Sequence, residues 1–266
     1  SHLLFAHGGK ADFRGADGAI FAFLSSPSLA LNVMTQNATF ELEGQKVQGS
    51  FMTAAHVVAR TDQGRTFTLS MIADKVLEMK GYNAHTAYAN GTCSGTGDFD
   101  LYYRGKITCD DVAVQMGYQE LELTTKEWRL RVQALDVFDR IGGPKHRLDL
   151  KVNLRVPEAS LTYHPHGIIG QSYDGDDIAV SGKQDVYTRN GPEIVTTALA
   201  EGSIEGVAAD YRVAHKFATA FRFSRFAEDG KVAAGAAAAG PRDVSKLTGQ
   251  KVHAGAAGAA GGAGAE

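Results

Sequence analysis

The chain lacks the features that mark membrane proteins and nucleic-acid-binding proteins. None of its apolar runs reaches the length of about 18 residues that a membrane-spanning helix needs, so we predict no transmembrane segment. Lys and Arg number 27 against 30 Asp and Glu, and a net charge of −3 provides no basic surface for nucleic acid, which we exclude as a partner. With 44% apolar residues, the composition is that of an ordinary globular protein.

The motifs of common enzyme classes are also missing, and no G-x-S-x-G elbow, H-E-x-x-H pair or phosphate-binding loop is present. Asp176 and Asp177 are adjacent, so in a strand they would point to opposite faces and form a poor glycosidase acid pair. His164 and His166 are two residues apart and could ligate a metal from one strand face, or simply form a polar face. His56, in an apolar stretch, is predicted to be an interior histidine. We predict no enzyme activity and keep a glycan-acting extracellular hydrolase as the alternative.

Cysteine is scarce, since Cys93 and Cys109 are the two in the chain and no C-x2-C zinc pattern is present. Either they form one disulfide, or they are two reduced core thiols. Two N-x-T sequons, at Asn37 and Asn90, favour the disulfide and predict glycosylation. Asn90 is expected in a glycine-rich turn, where a glycan would be exposed. Together these features predict a secreted protein.

Most of the chain reads as short strands separated by Gly, Asn and Asp. Residues 148–156, LDLKVNLRV, alternate strictly between apolar and polar side chains, as in a strand with one wet face. Apolar runs on both sides of Gly44 predict a β-hairpin. The spacing predicts a mainly β fold, an antiparallel β-sandwich occupying residues 1–230. Pro192 and Gly202 bound one predicted short helix, at 191–202.

The composition changes at about Lys231. Residues 231–266 contain 21 Ala or Gly among 36 positions and almost no large apolar side chains, so they cannot build a core. We expect a low-complexity tail rather than a second folded domain. Small side chains allow a close backbone approach to another surface, and the tail is predicted to bind a protein partner, either another copy or a matrix protein.

Two motifs resemble those of von Willebrand factor type D-like domains, most closely the plant and algal root-cap (late-embryogenesis-like) branch. The first is GGKADFRGADGAIFAF at 8–23, and the second is HGIIGQSYDGDD at 166–177. GKQDVY at 182–187 and TAFRFSRF at 219–226 fit the C-terminal part of the same branch. The resemblance extends over roughly residues 8–226. In the first motif it rests on the matching positions Gly9, Phe13, Gly15, Asp17, Gly18, Phe21 and Phe23.

The resemblance implies an extracellular β-sandwich that serves as a structural or assembly module. It also implies a calcium site, with Gln171, Asp174, Asp176 and Asp177 at the acidic positions, because calcium is bound by carboxylate and amide oxygens. A solvated acidic turn is the alternative. Ile169 stands where the animal domains have cysteine, so multimerisation by disulfide exchange is not expected.

These observations predict a secreted structural or assembly protein of an extracellular matrix, cell wall or surface appendage. Its partners would be proteins, itself or other matrix proteins, with glycans as a further candidate class. A small-ligand carrier with a pocket between the sheets is the third candidate function.

Overall fold

The computed structural model describes residues 1–78 and 85–227, and within them the chain is mainly β, as predicted. In chain order the strands are β1 (His2–Leu4), β2 (Lys10–Asp12), β3 (Ile20–Ser25), β4 (Leu29–Leu42), β5 (Gln45–Arg60), β6 (Thr66–Glu78), β7 (His85–Cys93), β8 (Gly97–Leu101), β9 (Lys106–Cys109), β10 (Val112–Met116), β11 (Glu120–Thr124), β12 (Trp128–Asp136), β13 (Arg140–Gly142), β14 (His146–Leu154) and β15 (Ile194–Val195). The helical segments are short 3-10 turns at Ala6–Gly8, Glu158–Ser160, Gly170–Ser172 and Ala208–Tyr211. The predicted Ala/Gly tail lies outside the described residues.

The larger sheet has eight strands, and the long hairpin β4–β5 lies within it as a pair of adjacent strands. The two-residue turn of this hairpin is formed by Glu43 and Gly44, both with positive φ, and the hairpin predicted at Gly44 is confirmed. The strand path of this sheet is β13-β4-β5-β6-β7-β8, with β3 paired to β4 and β15 paired to β5. The second sheet has five antiparallel strands in the order β14-β12-β11-β10-β9. Strands β1 and β2 form a separate two-stranded sheet.

The two large sheets pack face to face through one apolar core. Strand β14 shows why the sequence pattern worked, because Leu148 and Val152 are buried while Asp149, Lys151 and Asn153 face solvent. The chain passes from the larger sheet to the smaller one between β8 and β9. At this crossing the sulfurs of Cys93, which ends β7, and Cys109, which ends β9, lie 2.05 Å apart as the predicted disulfide. The disulfide therefore connects the two sheets.

The larger sheet is covered on its outer face as well, by residues 203–227, which we call the C-terminal cover. The side-chain amide of Asn32 in β4 donates to the carbonyl oxygens of Lys216 (3.0 Å) and Ala218 (2.8 Å). Phe217 and His56 of β5 form a T-shaped ring pair, with centroids 6.0 Å apart. Because both faces are buried, β5 reads as a nearly continuous apolar run around His56. His56 is the interior histidine that the sequence predicted, and it bonds Ser70 Oγ at 2.9 Å.

The predicted helix at 191–202 is wrong. Ile194 and Val195 form β15, which pairs in parallel with Val47 and Gln48 of β5. Neighbouring segments satisfy the backbone of this stretch, since Thr196 N donates to Gln48 O at 2.9 Å and Arg14 N donates to Ala198 O at 2.7 Å. The β-branched run Val195-Thr196-Thr197 favours this extended conformation over a helix.

The two motifs that carry the family resemblance are neighbours in space. The second motif runs beside β3 of the first, because Ile168 N donates to Ala22 O and Ile169 N donates to Phe23 O, both at 2.9 Å. Gly167 makes this approach possible with a φ of +102°, and a Cβ there would lie 2.7 Å from the Phe23 carbonyl oxygen. The glycine is thus required both by its backbone conformation and by the closeness of β3.

Replacing Gly167 with alanine is expected to lower the free energy of unfolding by about 2 kcal/mol or more, because strain and a backbone clash add together. Gly18 is the matched control, since its φ is +66° but no atom lies within 4 Å of the position that a Cβ would occupy. Urea unfolding of G167A and G18A should therefore show the larger loss in G167A. Equal losses would mean that β3 does not approach Gly167 as closely as the structure shows.

Candidate functional site

Gln171, the first residue of the predicted calcium set, is turned into the protein interior. Its side-chain amide donates to Gly167 O at 2.8 Å and to Tyr211 Oη at 2.9 Å. Its Oε1 accepts the Glu205 N–H at 2.8 Å. The oxygen that calcium would need is therefore already bonded, and Gln171 holds the second motif against the C-terminal cover. Calcium binding by Gln171 stays a prediction, because a carbonyl oxygen that accepts one hydrogen bond keeps a second lone pair.

The three aspartates of the turn occupy different environments. Asp174 is buried, and Asp176 is partly buried with its Oδ1 accepting the Ile178 N–H at 2.8 Å. The Asp177 side chain is 97% exposed, and its backbone has a positive φ of 56°. Asp177 approaches ligand-type side chains from elsewhere in the chain. Calcium binding by the aspartates stays a prediction.

Asp177 lies close to two residues that belong to no predicted site, His7 and Glu158. His7 Nε2 lies 3.1 Å from Glu158 Oε2, and His7 Nδ1 lies 3.8 Å from Asp177 Oδ1. One ligand atom from each residue lies within 4.8 Å of the others, and this is the one such group of three found among residues 1–78 and 85–227. We call it the His7 cluster. Its members come from three distant segments, so no local spacing could have revealed it.

The His164/His166 pair forms no such group among the described residues. His166 is buried, and its ring stacks on Phe223 with centroids 4.6 Å apart. Its Nδ1 accepts the Gly167 N–H at 2.9 Å, and its Nε2 lies 3.4 Å from Glu205 Oε2. His166 therefore joins the second motif to the C-terminal cover rather than lining an accessible metal site.

A cavity of about 510 Å³ opens where β14 forms one edge of the smaller sheet. We call it the edge pocket. Leu148 and Leu150 of β14 line one wall, and the facing wall is largely aromatic and aliphatic, formed by Phe40, Leu42, Phe51 and Met52 of the β4–β5 hairpin. Phe40 and Phe51 pack with centroids 5.0 Å apart, and the Arg147 guanidinium lies 5.8 Å from the Phe51 centroid. The lining also includes charged side chains, namely Glu41, Glu120, Arg131, Arg147, Asp149 and Lys151. A mainly apolar hollow with polar groups placed around it is the usual form of a binding site.

The rim of the edge pocket leaves large apolar side chains in solvent. Phe138, in the turn between β12 and β13, is 83% exposed, and Leu4 and Leu42 are also exposed. Tyr187 lines the same pocket, and burial, with Asp12 and Asp185 nearby, raises the pKa of its hydroxyl to about 12. The tyrosine is therefore a neutral hydrogen-bonding group at physiological pH. Exposed apolar side chains around a pocket indicate a surface that a partner covers.

Hydrogen bonds lower the pKa of the carboxyl groups of Asp110, Glu193 and Asp210. A hydrogen bond from Arg65 lowers the pKa of Asp110, one from Gln48 lowers that of Glu193, and the Val207 N–H lowers that of Asp210. A general acid at neutral pH needs a raised pKa instead. These three residues therefore supply no general acid for the hydrolase alternative.

Both sequon asparagines are exposed, but neither lies in a turn. Asn37 lies in β4 opposite Ser50, and Asn90 lies in β7 between Ser70 and Asp100. The expected turn at Asn90 is thus wrong, because the glycine-rich stretch that follows it continues β7 to Cys93. Exposure still leaves both side chains accessible to a glycan.

Across the described part of the chain, no helix combines the length and the apolar character that crossing a membrane requires.

Compared with known proteins, the chain matches no family model and no curated protein. The von Willebrand D-like resemblance therefore stays a prediction.

Proposed function

We propose that this chain is a secreted, non-enzymatic β-sandwich that acts as an assembly module in an extracellular matrix, cell wall or surface appendage. The observation that carries the proposal is the edge pocket, a mainly apolar cavity bordered by the edge strand β14 and by exposed apolar side chains. The Cys93–Cys109 disulfide and the exposed sequon asparagines support the extracellular location.

The proposed occupant of the edge pocket is an apolar side chain of a second copy of the chain. Each copy has both the pocket and an exposed aromatic side chain, Phe138, at the rim of that pocket. Phe138 of one copy would enter the pocket of the second copy, and Phe138 of the second copy would enter the pocket of the first. A contact of this kind is self-complementary, which is the condition for a two-fold symmetric dimer. Burying aromatic anchors in a desolvated pocket is also the commonest source of strong interface contacts.

The edge strand β14 supports the same proposal. It pairs with β12 on one side and ends the sheet on the other. Its outer edge is occupied at two points, since His146 N donates to Asp74 Oδ1 at 2.9 Å and the Tyr173 hydroxyl donates to Val152 O. Between these points an extended partner segment can pair its main chain with β14 while its side chains fill the pocket. The Ala/Gly tail, residues 231–266, stays a predicted second contact in the assembly.

Replacing Phe138 and Leu42 together with serine is expected to weaken self-association at least about tenfold, because each buried apolar side chain contributes about 1.5–3 kcal/mol. Both residues are exposed in the single chain, so folding should be unaffected. Sedimentation velocity over a concentration series measures the effect.

The matched control is V186S/V207S, which removes two other exposed apolar side chains that lie outside the edge pocket. This control should associate as the wild type does. A wild-type chain that stays monomeric up to about 100 µM, or an equal loss in the control, would contradict self-assembly through the edge pocket.

A small-ligand carrier is the second candidate, because a volume of about 510 Å³ is within the usual range for small-molecule sites. In that case an apolar fluorescent probe such as anilinonaphthalene sulfonate should bind the monomer, and F138S/L42S should lose the probe without any change in oligomeric state.

A further inference from the structure

We propose that His7, Glu158 and Asp177 form a binding site for a divalent transition-metal ion, with Zn²⁺ as the ion that fits best. The proposal is independent of the edge pocket and of the assembly function. It also differs from the calcium prediction, since His7 and Glu158 lie outside the acidic turn and Asp177 is the one residue that the two sites share.

The geometry brings the three donor atoms close enough for one ion. Zinc binds imidazole and carboxylate at about 2.0–2.2 Å, so its ligand atoms lie roughly 3–4 Å from one another. The donor atoms of the His7 cluster already lie within 4.8 Å of one another. The Asp177 side chain is 97% exposed and can rotate to bring its carboxylate closer to the His7 ring. The side chains of His7 and Glu158 are only 20% and 15% exposed, so the surrounding residues hold them in place.

Glu158 is oriented by its own second oxygen. Its Oε1 accepts the Gly175 N–H at 3.2 Å, which leaves Oε2 directed at His7. Hydrogen bonds of this kind fix a ligand before the metal arrives and raise the affinity of the site. A separate cavity of about 520 Å³, lined by His7, Glu158 and Tyr173, opens beside the cluster and gives solvent and ions access.

The donor set decides which ion is favoured. One imidazole with two carboxylates suits zinc and its neighbours in the first transition row, whereas calcium prefers six to eight oxygens. Three protein ligands leave further positions for water. Two carboxylates beside a neutral imidazole carry a net charge of −2, which a divalent ion neutralises. In the absence of metal the same residues form an ordinary ion pair when the imidazole is protonated.

The test uses the full chain, stripped of metal with chelator and then titrated with zinc chloride in a calorimeter. One saturable site is expected, and zinc should raise the melting temperature, because a ligand that binds the folded state stabilises it. Calcium chloride at the same concentration should produce a smaller rise. X-ray absorption of the zinc-loaded protein should show one imidazole among oxygen ligands.

Three variants locate the site. H7N keeps a residue type that tolerates the positive φ of 58° at this position, and E158Q and D177N preserve shape while removing charge. Each is expected to weaken zinc binding at least about tenfold, since even the loss of an outer-shell partner costs that much. D177N alters an almost fully exposed side chain, so it reports on binding even if H7N folds poorly.

His146 offers the matched control. Its ring also lies between two carboxylates, with Nδ1 2.9 Å from Asp74 Oδ1 and Nε2 3.2 Å from Asp136 Oδ1, but these residues do not form a converging group. H146N should bind zinc within about twofold of the wild type. The proposal is overturned if zinc shows no saturable binding, if D177N binds as tightly as the wild type, or if H146N weakens binding as much as H7N.

Discussion

Replacing Cys93 and Cys109 together with alanine is expected to lower the free energy of unfolding by about 3 kcal/mol, the size expected for a disulfide that closes a loop of this length. The two residues are 16 positions apart, and their bond joins the larger sheet to the smaller one beside the β8–β9 crossing. Its loss should therefore destabilise both sheets together. Urea unfolding of the variant and the wild type measures the difference in the free energy of unfolding.

The reduced wild-type protein is the control for this substitution, because it lacks the bond but keeps both side chains. It should lose most of the same free energy as the double variant. Intact-mass measurement of the unreduced protein should show a mass lower by two hydrogen atoms than that of the reduced protein. Two free thiols in the unreduced protein would contradict the disulfide and weaken the argument for secretion.

Acidification from pH 7 to pH 4 is expected to lower the free energy of unfolding by about 3 kcal/mol through His56 alone, at about 1.4 kcal/mol per unit of pKa difference. Burial under the C-terminal cover, with the nearby Lys216 charge, lowers the pKa of His56 from 6.5 to about 4. Below pH 6.5 the unfolded chain binds a proton at His56 that the folded chain takes up only near pH 4. This contribution is therefore constant above pH 6.5 and falls between the two values.

Substituting glutamine for His56 tests this assignment. H56Q removes the titrating group while keeping a polar side chain beside Ser70, so its unfolding free energy should fall less steeply with pH than that of the wild type. His215 is exposed and serves as the control, because H215Q should keep the wild-type pH dependence. Identical pH profiles for H56Q and the wild type would show that His56 titrates normally in the folded chain.

The parts of the fold that the sequence predicted are those governed by local patterns. Alternation at Leu148–Val156 predicted β14, and the turn residues around Gly44 predicted the β4–β5 hairpin. His56 was recognisable as interior from its apolar neighbours. In each case the residues that decide the structure lie within a few positions of one another, so their period and turn chemistry are visible in the sequence.

The parts that the sequence did not predict depend on contacts between distant segments. The stretch at 191–202 has helix boundary signals, but its strand β15 pairs with β5, far away in the chain, and that pairing overrides local preference. The C-terminal cover has no regular period of its own and is held by side chains such as Asn32. The His7 cluster and the edge pocket likewise join residues from separate elements, and only the folded chain brings them together.

The most direct measurement of the proposed function is hydrogen–deuterium exchange on the full chain, at low concentration as the monomer and at high concentration as the assembly. If copies associate through the edge pocket, amides in β14 and in the turn around Phe138 should gain protection on assembly, while amides of the β8–β9 crossing should not change. Assembly without added protection at β14 and Phe138, or with protection confined to other surfaces, would contradict the central proposal that the edge pocket is the assembly contact.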